Sequence, residues 1–155
     1  MLIFKALHIL SMFSVVTMEI GAEFLYAFAV SRRDVRGLAT IHRMLEQVRL
    51  GPISIAVFVS GVVFGLLTAL TGGLDFLAGW LIAAYVLVAV ILVSASRLWP
   101  KTLLPLGAKA VEAEAGQRPL EDVVRDMVAS RAVLWFAFMA TIFVLIILDM
   151  VLKPF

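Results

Sequence analysis

Four uninterrupted apolar stretches dominate the sequence, over residues of about 2–30, 52–71, 76–98 and 132–152. A helix needs roughly 20 mainly apolar residues to cross a hydrocarbon layer about 30 Å thick, and each stretch is long enough. Backbone amides in lipid must be satisfied within the segment, so a spanning segment is helical unless it closes into a barrel. Barrel strands alternate apolar and polar residues, and these runs do not. The expected fold is therefore all-α: an integral membrane antiparallel four-helix bundle, a single domain over residues 1–155, with two amphipathic cytoplasmic segments. Composition excludes the competing classes. At 63% hydrophobic and 15% charged, the chain is far from the roughly 45–50% and 25% of soluble domains, and it has the opposite bias to a disordered one. The absence of cysteine removes disulfides, thiolate metal sites, iron–sulfur clusters and covalent haem. Lys5 makes a weak basic start, but Glu19 and Glu23 stand where a signal-peptide cleavage site would fall, so the N-terminal stretch is read as the first span.

Charge predicts orientation. The linker after the first stretch carries Arg32, Arg33, Arg36, Arg43 and Arg49; the linker after the third carries Arg97, Lys101, Lys109, Arg118, Arg125 and Arg131. These are eleven of the 13 basic residues, and the turn at residues 71–75 has none. By the positive-inside rule both linkers are expected in the cytoplasm and both termini outside. Trp80, Trp99 and Trp135 fall near the span ends, where aromatic belts form.

Both linkers have helical patterning. Leu38, Ile41, Leu45 and Val48 recur at helical spacing in the first, and Gly51-Pro52 marks where the next helix opens. In the second, Pro100, Pro105 and Gly107 predict a break after the third span. Pro119 then starts a helix in which Leu120, Val123, Val124, Met127 and Val128 form one stripe, read as free to run unbroken into the fourth span. These faces suit packing on their own bundle and headgroups, or a partner or anionic lipid. Within the spans, Gly61 and Gly65 on the second and Gly79 and Ala83 on the third are small enough for close helix contact, inside the bundle or between copies.

Ionisable residues within a span are functional candidates by default, and here they gather on the first. At about 100° per residue, His8, Met12, Glu19 and Glu23 share one face, expected to point into the bundle. His8 and Glu19 are roughly 16 Å apart along the axis, too far to hold one metal. Glu19 and Glu23 form an intramembrane polar site one turn apart, where at least one carboxyl is expected to be protonated at neutral pH. That arrangement suits a proton or cation step. The plainer alternative is a carboxyl bonded to Thr68, Ser60 or Tyr85, or paired with Arg97. His8 with Met12 is a candidate haem or copper pair, because both metals accept nitrogen and thioether donors. Its plainer alternative is a histidine bonded to Asp149 or to backbone. Lys5, Asp75, Asp149 and Lys153 make a candidate outer polar cluster around it. His42 is expected on the other side of the membrane, out of reach of a shared haem.

The opening Lys5-Ala6-Leu7-His8-Ile9-Leu10-Ser11 resembles the start of the first helix in a group of small uncharacterised bacterial integral membrane proteins. These are similar in layout to copper-resistance D-type and HemJ-type haem-biosynthesis proteins. The resemblance covers the four-span plan and the basic linker after the first helix. It implies that His8 is the position to watch and that haem b or copper is the cofactor, in a bacterial inner membrane. Relatives carry an aromatic residue and paired glycines one or two turns later; here Val16-Thr17-Met18-Glu19-Ile20-Gly21 retains only Gly21.

No phosphate-binding glycine loop, nucleophile elbow or zinc-protease motif is present, which argues against an autonomous enzyme. The Arg32-Arg33 pair beside a span reads as a topology signal, so no nucleic acid is expected. Three functions follow: a non-enzymatic accessory or scaffold subunit of a larger membrane complex or homo-oligomer; a haem- or copper-binding membrane protein using His8; and a proton- or cation-coupled transport component using Glu19 and Glu23.

Overall fold

A computed structural model describes residues 2–152. The helices are α1 (Leu2–Arg32), α2 (Val35–Gln47), α3 (Leu50–Gly72), α4 (Gly79–Leu98), α5 (Leu104–Glu114), α6 (Leu120–Ala129) and α7 (Ala132–Leu152), with a π-helical turn at Trp99–Leu103. Among the described residues there is no strand. Four helical segments, containing α1, α3, α4 and α7, are long and apolar enough to cross a membrane. Their surfaces carry large apolar side chains such as Leu10, Phe13, Ile55, Val86 and Leu134, all exposed in the isolated chain, as lipid contact requires.

Around α1 the long helices pack in a defined order. α3 lies along α1, α7 also packs against α1, and α4 packs on α7; among the described residues α3 and α4 do not pack along each other. Contacts pair Glu19 with Ser54 and His8 with Gly61, so α1 and α3 run in opposite directions.

α1 is longer than a bilayer needs. Its 31 residues measure about 46 Å at 1.5 Å per residue, and its final third joins the linker helices. There Tyr26, Ala29 and Val30 pack with Val35, Leu38 and Ala39 of α2, Leu106 and Ala110 of α5, and Val123 and Met127 of α6. This is a core of the soluble kind, with Tyr26, Leu38, Ala39, Ala110 and Val123 wholly buried. Asp34 starts α2 by accepting a hydrogen bond from the Gly37 amide at 2.8 Å, a cap whose loss costs about 0.5–2 kcal/mol.

Four local expectations change. The chain does not break at Pro100: a π-helical turn carries α4 into α5, since the wider turn accommodates a residue that cannot donate its amide. α6 does not run into α7, because Arg131 has φ 52° between them. On α2 the buried face is Val35, Leu38, Ala39 and His42, while Val48 is exposed beyond the helix end. On α6 Val123 and Met127 are buried, but Leu120 and Val128 face outward.

Arg33, Arg49 and Arg131 all have φ between 51° and 55° and stand at helix junctions. A left-handed backbone costs a non-glycine residue about 1–2 kcal/mol, and glycine offsets part of any gain by its greater freedom when unfolded. Arg131→Gly should therefore raise stability by up to about 1 kcal/mol, read as a higher midpoint of thermal unfolding in detergent.

Candidate functional site

The α1–α3 seam is made where glycines let polar side chains approach the backbone. His8 Nδ1 lies 2.7 Å from the Gly61 carbonyl oxygen. A carbonyl only accepts, so Nδ1 carries the hydrogen, and Nε2 of the neutral ring keeps a free lone pair. A β-carbon on Gly65 would come within 2.9 Å of the His8 ring, and one on Gly61 within 2.7 Å of the Met12 sulfur. His8 and Met12 thus occupy the small-residue stripe of α3. One turn inside the start of α3, Ser54 donates a hydrogen bond to Glu19 Oε1.

Beside this seam is a cavity of about 510 Å³ between α1, α3, α4 and α7. Its walls are almost entirely apolar, including Phe13, Phe58, Met139 and Phe143, and its polar groups are His8, Glu19 and Ser54. Such a space, apolar with a few convergent polar groups, is the usual form of a small-molecule site.

Glu19 does not use Thr68, Ser60, Tyr85 or Arg97. Thr68 and Ser60 donate to carbonyls of their own helix, at Phe64 and Ala56, and Tyr85 is exposed. Glu23 is 5% exposed with Oε2 lacking any hydrogen-bond partner. Lying one turn beyond Glu19, it is level with the first turn of α3 rather than mid-span. Asp149 is also buried, its Oδ2 unpartnered, and His8 bonds to backbone instead of to it. Asp75 caps its own turn through the Leu77 amide. Lys5 is exposed, and Lys153 lies outside the described residues. Among the described residues no hydrogen bond or ion pair joins Lys5, Asp75 and Asp149. Gly79 is exposed and Ala83 half-buried on α4. No group of three or more His, Asp or Glu side chains suited to a metal occurs among the described residues.

A second site lies where α1 meets the linker helices. Tyr26 Oη is 2.7 Å from His42 Nδ1, and His42 Nε2 is 3.4 Å from Glu46 Oε1. The carboxylate accepts, so Nε2 carries the hydrogen and Nδ1 accepts from the Tyr26 hydroxyl. Tyr26 is wholly buried, His42 is 4% exposed, and Trp99 covers Tyr26 with ring centroids 5.3 Å apart. This chain borders a cavity of about 480 Å³ lined also by Leu45, Arg49, Pro52 and Leu104. Sequence reasoning missed it. Tyr26 falls in a stretch assigned to lipid, whereas His42 follows Val35, Leu38 and Ala39 at i+7, i+4 and i+3, a signal that was legible. Tyr26 is eighteen residues from His8, or about 27 Å along α1, so the two sites are separate.

Gly107 makes the second site by close approach, since a β-carbon there would overlap the His42 ring and lie 2.6 Å from Tyr26 Oη. Gly107→Ala should therefore destabilise the chain by about 1–3 kcal/mol, lowering the unfolding midpoint in detergent, whereas Gly21→Ala, with open space around it, should not.

The family model described as "Predicted integral membrane protein (DUF2269)" matches residues 2–154, nearly the whole chain, and the chain belongs to that family. No curated protein and no solved structure matches it.

Proposed function

We propose that this DUF2269 member is a non-enzymatic accessory subunit of the bacterial inner membrane, whose intramembrane cavity holds haem on His8. The bundle is antiparallel and forms one domain, with both termini outside and both basic linkers in the cytoplasm. The placement of eleven of 13 basic residues on the two linkers supports that orientation.

The observation that carries the haem reading is His8 itself. Metal-bound histidines usually donate their other ring N–H to a carbonyl or carboxylate, which fixes the tautomer, and the Gly61 carbonyl does this for His8. The remaining lone pair belongs to a residue lining an apolar space of about 510 Å³, suited to a large flat apolar group. Copper would need more donors than His8 and Met12 offer. His8 would hold the haem, which when bound would supply redox chemistry. The layout shared with copper-resistance D-type and HemJ-type proteins belongs to this same proposal.

A second reading is favoured by Glu23, whose buried oxygen lacks a partner one turn from Glu19: the pair serves a proton or cation step along α1. Partners of an accessory subunit would meet faces other than Gly61 and Gly65, which α1 covers.

Protein extracted in a mild detergent should show a Soret band and bound iron, both lost in His8→Ala while the helical circular dichroism is kept. Colourless, iron-free wild-type protein would end the haem reading. Native sizing of the same preparation should show a partner or a homo-oligomer; a lone monomer counts against an accessory subunit. For the second reading, Glu19→Gln should abolish proton or cation flux in proteoliposomes, and unaltered flux would remove it.

A further inference from the structure

Basic side chains of the linker region divide by place. Four of them are paired: Arg43 with Glu114, Lys109 with Asp126, Arg118 with Glu112 and Arg125 with Asp122. Arg33, Arg49, Lys101 and Arg131 stand where an apolar helix meets a linker segment. They are exposed, and no ion pair engages them among the described residues. Acidic residues neutralise the first set and leave the second uncompensated at the ends of the apolar helices.

Of the four, Arg49 also borders the junction cavity of about 480 Å³. Its left-handed backbone, φ 51°, makes the corner between α2 and α3. Glu46 shares the rim with its carboxylate 3.4 Å from His42 Nε2, and Arg49 is the cation there, paired with no carboxylate among the described residues. The rest of the wall is amphipathic in the way of a lipid interface, with Trp99, Leu45, Leu50 and Leu104 around the buried Tyr26 and His42. α3 bounds it through Pro52 and the π-helical turn after α4 through Trp99, and α3 and α4 do not pack along each other among the described residues. One turn further along them, Ile55 and Ala95 line the intramembrane cavity.

We infer that the junction cavity is a binding site for one anionic phospholipid, with Arg49 on its phosphate, Trp99 and Leu104 against its glycerol end, and its chains entering the cleft between α3 and α4. Arginine suits a phosphodiester because its planar fork donates two parallel hydrogen bonds. This site is about 27 Å along α1 from His8, and the inference does not rest on haem.

Native mass spectrometry in detergent tests it by titrating the full chain with phosphatidylglycerol or phosphatidylcholine of identical acyl chains. Wild-type protein should retain the first phosphatidylglycerol about fivefold more strongly. Arg49→Gln should bring the two lipids to parity, and Arg118→Gln, at a paired position, should keep the preference. Leu104→Trp, which fills the cavity from another wall without changing charge, should weaken retention of both lipids. Parity in the wild type, an intact preference in Arg49→Gln or undiminished retention in Leu104→Trp would overturn the site. Displacement of the lipid by millimolar inorganic phosphate would overturn a lipid as its occupant.

Discussion

Lipid supplies no hydrogen bonds, so a polar side chain on a spanning helix that cannot reach its own backbone must find its partner on a neighbour. The α1–α3 seam meets that demand. His8 is bonded to the Gly61 carbonyl and Glu19 accepts from Ser54, and the glycines of α3 admit His8 and Met12 at close range. Two polar contacts separated along the helix set the register of α3 on α1 far more sharply than interchangeable apolar side chains could. α7 and α4 then close the remaining sides around the cavity that His8 and Glu19 line.

The excess length of α1 links this seam to the linker core. A helix of 31 residues is stiff, so its Tyr26 end is positioned by the same rod that carries His8. Around Tyr26 the chain uses the rules of a soluble protein: α2, α5 and α6 each bury one face and expose charges, several of them paired. The π-helical turn at Trp99–Leu103 brings Trp99 over Tyr26 and carries α4 into α5, whose Gly107 leaves room for the Tyr26–His42 hydrogen bond. Two cavities result, one among the long apolar helices and one beside the linker core, separated along a single helix.

Much of this was legible in the chain. The spans follow from continuous hydropathy, and the last coincides with α7 from Ala132 to Leu152. The shared face of His8, Met12 and Glu19 followed from helical rotation alone, and all three line one cavity. Their partners were not legible. Thr68, Ser60 and Tyr85 are as suitable by residue type as Ser54, but a serine or threonine in a helix can satisfy itself on the carbonyl one turn back, as Ser60 and Thr68 do. Pro100 looked like a break because its ring forbids an ordinary α-helical bond, and only the observed π-helical geometry lets the helix continue.

By itself the sequence determined the class of solvent this chain lives in, the number of its long apolar helices and the helix that carries its polar face. Those properties depend on composition and local periodicity, which every short window of residues contains. Tertiary structure decided that the end of α1 joins the linker core, that His42 is buried on Tyr26, that α3 and α4 stay apart, and that Arg49 borders a cavity while Arg43 is neutralised by Glu114. These depend on which helices meet and at what register, a property of pairs of segments far apart in the chain, and no single segment encodes it.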